Sequence, residues 1–297
     1  MALSRNAMNE VAAEPDVSAE ILHISRKSGR TGVSNNPWVR PAEVWIGSGL
    51  IGAALCWWVV ADHFAMSGLA DAYLALGLNR IASHNAVLNH AIDIASEAYI
   101  LTGALLVALV WHCWFADDAT TARERLLLGI TGVVIAGVSS RLLQVLLPMR
   151  ARPMHSLVLG FQTLPGIDPE LANHWGSFPS DHAALFFALV AVIGQRSRGL
   201  GLLALLSALY GCLPRIYLGL HYPSDIVAGA AFGMAFVVLF ERFGPRRMAG
   251  LCIAWARRAP GLFYAAAFLV TFEVATLFED VRQISRGIPA VLRQLAM

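Results

Sequence analysis

Three short polar clusters break an otherwise apolar chain, and their residue types suit one task, the holding of an anion. The first contains Arg141 and Gln144, then Arg150, Arg152, Pro153 and His155. The second is Ser177-Phe178-Pro179-Ser180-Asp181-His182, and the third collects Arg215, His221, Tyr222, Pro223, Ser224 and Asp225. Arg152 and Arg215 offer planar, permanently charged forks that match the oxygens of a phosphate. Ser180 and Asp181 follow a proline and open an apolar run, as Ser224 and Asp225 do after Pro223. Each is a helix start, where unpaired backbone N–H groups and the helix dipole favour an anion. Arg152, Arg215, Ser180, Asp181, Arg141 and Arg150 therefore form the expected phosphate-binding set, with no metal and no cofactor called for. Two of them keep a plainer alternative: Arg150 as a membrane-interface anchor, and Asp181 as a helix cap.

The histidines supply the reaction. His221 and Asp225 are four residues apart, so on one helical turn the carboxylate reaches the imidazole. Such a contact keeps one ring nitrogen protonated and turns the other outward as a nucleophile. His182 then protonates the leaving oxygen as general acid, a role suited to a group that titrates near neutrality. The expected catalytic residues are His221, His182 and Asp225. The expected course is attack by His221, a phosphohistidine, and hydrolysis by water, with arginines and backbone amides stabilising the oxygens in flight.

The elements that must position these groups are helices in a bilayer. Of 297 residues, 57% are hydrophobic and 14% charged, against about 25% charged in a soluble domain. A chain this apolar needs lipid as its solvent, and a net charge of +2 is too small to argue for nucleic acid. Apolar runs fall at 44–62, 97–115, 126–147, 182–195, 199–217, 224–241 and 260–278. The expected fold is an all-α integral membrane bundle of six to seven transmembrane helices. Residues 1–41 read as a flexible cytoplasmic tail, 42–278 as the membrane domain with its core motifs at 141–225, and 279–297 as an amphipathic helix. Residues 63–96 read as an interfacial helix outside the membrane. The cysteines Cys56, Cys113, Cys212 and Cys252 have no metal or disulfide spacing.

Arginine placement orients the bundle. With the N-terminus inside, 14 of the 22 basic residues fall on cytoplasmic segments. All three polar clusters then lie at the outer face, and the chain is a multi-pass protein of the inner (plasma) membrane with its active site toward the periplasm or exterior.

These clusters resemble the tripartite signature of the type 2 phosphatidic acid phosphatase superfamily, in which Arg-Pro, Pro-Ser-x-His and Arg-x5-His-x3-Asp recur in order. Here they stand as Arg152-Pro153, Pro179-Ser180-Asp181-His182, and Arg215, His221 and Asp225. Three departures mark this chain. Val145 stands where the family has Lys, so that Arg141 or Arg150 is left to supply the charge; Asp181 replaces a Gly, and Pro214 replaces a Ser. The form Ser-Phe-Pro-Ser-Asp-His is similar to bacterial undecaprenyl-diphosphate phosphatases of that superfamily.

The resemblance implies a metal-independent membrane phosphatase acting on a lipid phosphate, with polyprenyl diphosphate as the favoured substrate. Hydrolysis of phosphatidic acid, phosphatidylglycerol phosphate or lipid A is the alternative, as is phosphotransfer to an acceptor alcohol. A vanadium-dependent haloperoxidase shares this kind of site but fits poorly with a chain that spans the membrane repeatedly. A transporter would leave the two histidine motifs without a role.

Overall fold

The computed structural model describes residues 68–82, 85–97, 100–156, 159–163 and 175–279. The expected tail, the first expected span and the C-terminal helix beyond Glu279 lie outside those residues. Among the described residues every regular element is helical. In order they are α1 (Gly68–Ala82), α2 (Ala86–Glu97), α3 (Leu105–Ala116), α4 (Thr120–Leu146), α5 (Asp181–Gly194), α6 (Arg198–Tyr217), α7 (Pro223–Phe243), α8 (Arg246–Arg258) and α9 (Pro260–Ala275). The 27-residue α4, the 20-residue α6 and the 21-residue α7 are each long and apolar enough to cross a membrane. Helices α2 and α3 meet at a 54° bend and, taken as one, give a fourth crossing where one starting at residue 97 was expected.

The fourth expected apolar run, 182–195, is a helix of the length expected. Helix α5 has 14 residues, about 21 Å at 1.5 Å per residue, which is short of a hydrocarbon core of about 30 Å. Its length follows from its place. Leu185, Phe186, Leu189, Val192 and Ile193 are all buried, and α3, α4, α6 and α7 pack around it. A helix enclosed by protein packs its apolar side chains against its neighbours and need not match the full hydrocarbon thickness by itself. Close approach by α7 depends on two glycines. A Cβ on Gly229 would sit 2.3 Å from the Ser180 carbonyl oxygen, and one on Gly233 would sit 2.0 Å from that of Ala184. Small residues at such a seam let two backbones touch.

The perimeter has the opposite character. On α6, Leu202, Leu206 and Leu213 are 58%, 57% and 57% exposed, and on α9 Leu262, Phe268 and Leu269 also face outward. A band of large exposed apolar side chains suits lipid rather than water. Helix α8 was not foreseen. It buries Ala249 and Ile253, four residues apart, and carries arginine at both ends, Arg246 and Arg247 opening it and Arg257 and Arg258 closing it. Its 13 residues, with two arginines at each end, are too short and too charged to register as a span, so the segment reads in sequence only as a basic loop.

Candidate active site

The C-terminal ends of α4 and α6 and the N-terminal ends of α5 and α7 meet at one end of the bundle, and the three polar clusters meet with them. Backbone hydrogen bonds lace the clusters together: Ser177 N–H to the Arg150 carbonyl at 3.0 Å, Ser180 N–H to the Asp225 carbonyl at 3.0 Å, and Met154 N–H to the Gly219 carbonyl at 3.0 Å. Gly219 holds φ at +73°, a left-handed conformation that glycine adopts without cost from a Cβ. That turn ends α6 and brings His221 back over the site.

His221 is buried, and each of its ring nitrogens has a distinct neighbour. Nδ1 lies 2.9 Å from the Ser177 carbonyl oxygen. A carbonyl only accepts, so Nδ1 carries the proton and Nε2 keeps its lone pair. The Asp225 carboxylate lies 3.7 Å from Nδ1, near enough to act as a charge but longer than a hydrogen bond. The expected reach from Asp225 to the ring over one helical turn is thus altered. His221 precedes α7, which begins at Pro223, and Asp225 instead accepts from the Tyr222 N–H at 2.8 Å, closing the start of that helix. Nε2 faces Arg152, whose Nη1 is 3.5 Å away. Burial holds the His221 imidazole below the usual histidine range, with Asp225 pulling the other way, so the ring is neutral at neutral pH.

Arg152 is buried and donates to the Leu220 carbonyl at 2.6 Å. Burial brings its pKa down to about 10, while Asp181 and Asp225 raise it and Arg141 and Arg215 lower it. It therefore remains a cation at neutral pH, surrounded by the charges the sequence singled out. Arg215 donates to the Ser96 carbonyl of α2 at 3.0 Å. Arg141 donates to the Gln144 Oε1 at 2.8 Å and lies over the Trp175 ring at 3.9 Å. Gln144 in turn donates to the Pro179 carbonyl at 2.7 Å, tying the first cluster to the second. Ser180 caps α5, its hydroxyl accepting from the Ala183 N–H at 3.4 Å.

His182 stands opposite His221. Its Nδ1 lies 2.9 Å from Asp181 Oδ1, which also accepts the His182 backbone N–H at 2.9 Å. Asp181 therefore orients a histidine as well as opening a helix. One donor atom each from Asp181, His182 and His221 fall within 4.8 Å of one another. A divalent cation there would sit beside Arg152 and Arg215, whose positive charge favours an anion instead.

Arg150 has partners that its sequence position does not reveal. Its Nη2 meets Asp71 of α1 at 2.7 Å and its Nη1 meets Asp225 at 2.6 Å, while the guanidinium lies 4.0 Å over the Tyr222 ring. Two participants were missed altogether. The Ser177 carbonyl carries no side-chain signal, and Asp71 is one acid in an apolar helix, 79 residues before the arginine it meets.

Arginines and two neighbouring histidines are thus gathered at one end of a bundle of apolar helices, an arrangement suited to holding a phosphate. Residues 125–249, which include all three clusters, match the PAP2 superfamily. The chain is 30% identical over 159 residues to the bacitracin transport permease protein BcrC of Bacillus licheniformis, covering 53% of this chain and 72% of that one. It is 28% identical over 166 residues to the undecaprenyl-diphosphatase BcrC of Bacillus subtilis, covering 56% and 80%. A lipid A 1-phosphatase of Rhizobium etli is 35% identical over 112 residues, covering 37% of this chain and 46% of that relative. The chain belongs to the PAP2 superfamily.

Proposed function

We propose that this protein is a multi-pass membrane phosphatase that hydrolyses a polyprenyl diphosphate, undecaprenyl diphosphate by preference, through a phosphohistidine on His221 and without a metal. The observation that carries the chemistry is the pinning of His221 Nδ1–H by the Ser177 carbonyl, which leaves Nε2 as a neutral nucleophile beside Arg152. Arg152, Arg215 and the N–H groups opening α5 gather the terminal phosphate. The Nε2 lone pair attacks phosphorus, and the bond from phosphorus to the oxygen of the lipid monophosphate breaks. His182, held by Asp181, delivers a proton to that leaving oxygen. Water then attacks the phosphorus while His182 takes its proton, the P–N bond breaks, and inorganic phosphate leaves. Asp225 supports His221 as a nearby negative charge.

The relative named as an undecaprenyl-diphosphatase, matched over 80% of its length, favours the polyprenyl substrate. The relative named as a lipid A 1-phosphatase favours lipid A as the second reading, and phosphatidic acid, phosphatidylglycerol phosphate and phosphotransfer use the same chemistry. The arrangement we propose in the membrane has six to seven crossings, with the site at the outer face of the inner (plasma) membrane. It is supported by the arginines gathered at the opposite end, among them Arg196, Arg246 and Arg247.

The test is phosphate release by the purified protein in detergent, with chelator present, on undecaprenyl diphosphate, lipid A, phosphatidic acid and phosphatidylglycerol phosphate. Release that survives chelator and is fastest on undecaprenyl diphosphate is the expected outcome. Loss of release on chelation would move the Asp181–His182–His221 cluster to a metal-binding role.

A further inference from the structure

The segment before the PAP2 match reaches into the site through an acid. Asp71, in the first turn of α1, accepts a bond from Arg150 Nη2 at 2.7 Å. It also accepts from the Ser224 N–H at 3.1 Å and, in a short contact, from the Ser224 hydroxyl. Arg150 carries the link onward to Asp225 at 2.6 Å, and Asp225 flanks His221. Asp71, Arg150 and Asp225 thus form a ladder of alternating charge. Its last rung is fully buried, and its first two side chains are 13% and 14% exposed. Charges shielded to that degree interact more strongly than surface pairs. Other polar ties bind the same segment to the bundle: the Asn79 amide pairs with both backbone groups of Gln162, and the Tyr217 hydroxyl donates to Asn89.

We propose that Asp71 is a positioning residue for the reaction, holding Arg150 against Asp225 so that the carboxylate stays fixed beside His221 and Arg150 stays out of the phosphate pocket. This rests on the histidine mechanism above, but the ladder joins one residue outside the family match, Asp71, to two inside it, since the match begins at residue 125. In this arrangement Arg150 is a strut, and the charge missing at Val145 falls to Arg141.

The ladder has a defined electrostatic consequence. His221 is faced by Arg152 from the loop after α4, by Asp181 and His182 of α5, by Arg215 at the end of α6, and by Asp225 of α7 with Arg150 behind it. With Asp71 neutralised, the Arg150 cation draws on Asp225 alone, and a proton on His221 is less well compensated.

Asp71→Asn is the variant to make, because its amide oxygen still accepts the Ser224 N–H while the charge is lost. The expected result is a fall in kcat of about tenfold with KM within about twofold, and no further fall when the substitution is added to Arg150→Gln. The fall persists in full on a Ser224→Ala background, a comparison that stands even if Arg150→Gln does not fold. A second readout needs no turnover. In spectra of ¹⁵N-histidine protein, with His221 assigned by its loss in His221→Ala, the titration midpoint of His221 moves down by about half a pH unit or more in Asp71→Asn.

Unchanged kcat overturns the proposal. So does an equal fall on the Arg150→Gln background, or its disappearance on Ser224→Ala, which would make Asp71 a cap of α7. An unmoved midpoint overturns it as well, whatever happens to kcat. Should the wild-type protein release no phosphate from any lipid, the hydrolase reading fails separately, and the midpoint alone decides the role of Asp71.

Discussion

The two ends of the bundle both carry charged residues and treat them in opposite ways. At the site end Arg150, Arg152 and Asp225 are enclosed and held by bonds of 2.6 Å. At the other end Arg242, Arg246, Arg247, Arg257 and Arg258 are exposed. An enclosed pair there among the described residues, Arg196 and Glu241, meets only at 3.8 Å. Buried charge is costly unless each group is satisfied, so an end that encloses several charges and satisfies them has been built for a purpose beyond folding. The basic end needs no such construction, since arginine works as an orientation signal by its presence alone.

This contrast predicts graded effects. The largest short of removing the nucleophile is expected for His182→Ala. Loss of the general acid lowers kcat by about 10²–10⁴-fold, measured as phosphate release at saturating substrate. Asp181→Asn follows, lowering kcat by about tenfold with little change in KM, since it loosens His182 without removing it; a change in KM alone would place Asp181 on the phosphate instead.

A pH effect comes next. The folded site holds His221 below the ordinary histidine value of 6.5. The neutral nucleophile therefore persists through that pH, and kcat/KM declines only when pH falls to the lowered value. The same shift bears on stability: the unfolded chain binds the proton first, so this contribution is present above 6.5 and is lost progressively below it. A pH–rate profile with its acid limb at or above 6.5 would contradict this environment for His221. At the opposite end Arg247→Ala leaves kcat and KM within about twofold and melting within about 0.5 kcal/mol, as for an ordinary surface change. A tenfold loss there would mean that the two ends are coupled.

The same contrast explains what the sequence made legible. Charged clusters stand out in an apolar chain because lipid penalises them, and so all three motifs were readable, with His182, His221 and the arginines brought to one end of the bundle. Helices α4, α6 and α7 were readable because each presents about 20 apolar residues in a row. Helix α5 was readable both as apolar and in its length, since the run 182–195 has the same 14 residues; that protein rather than lipid surrounds it was not readable. Contacts made by the backbone or over long separations were not readable. The Ser177 carbonyl that fixes the His221 tautomer has no residue-type signature, and Asp71 acquires its meaning only when α1 folds back onto the start of α7.

The central claim is that His221 Nε2 carries the phosphoryl group. The direct measurement is rapid quenching of the purified protein with undecaprenyl diphosphate labelled in its terminal phosphate, followed by peptide mass spectrometry under alkaline conditions that preserve phosphohistidine. The expected result is an acid-labile phosphoryl group on the peptide containing His221, formed in the wild-type protein and absent from His221→Ala. Label on His182 or on a carboxylate, or full turnover by His221→Ala, would contradict it.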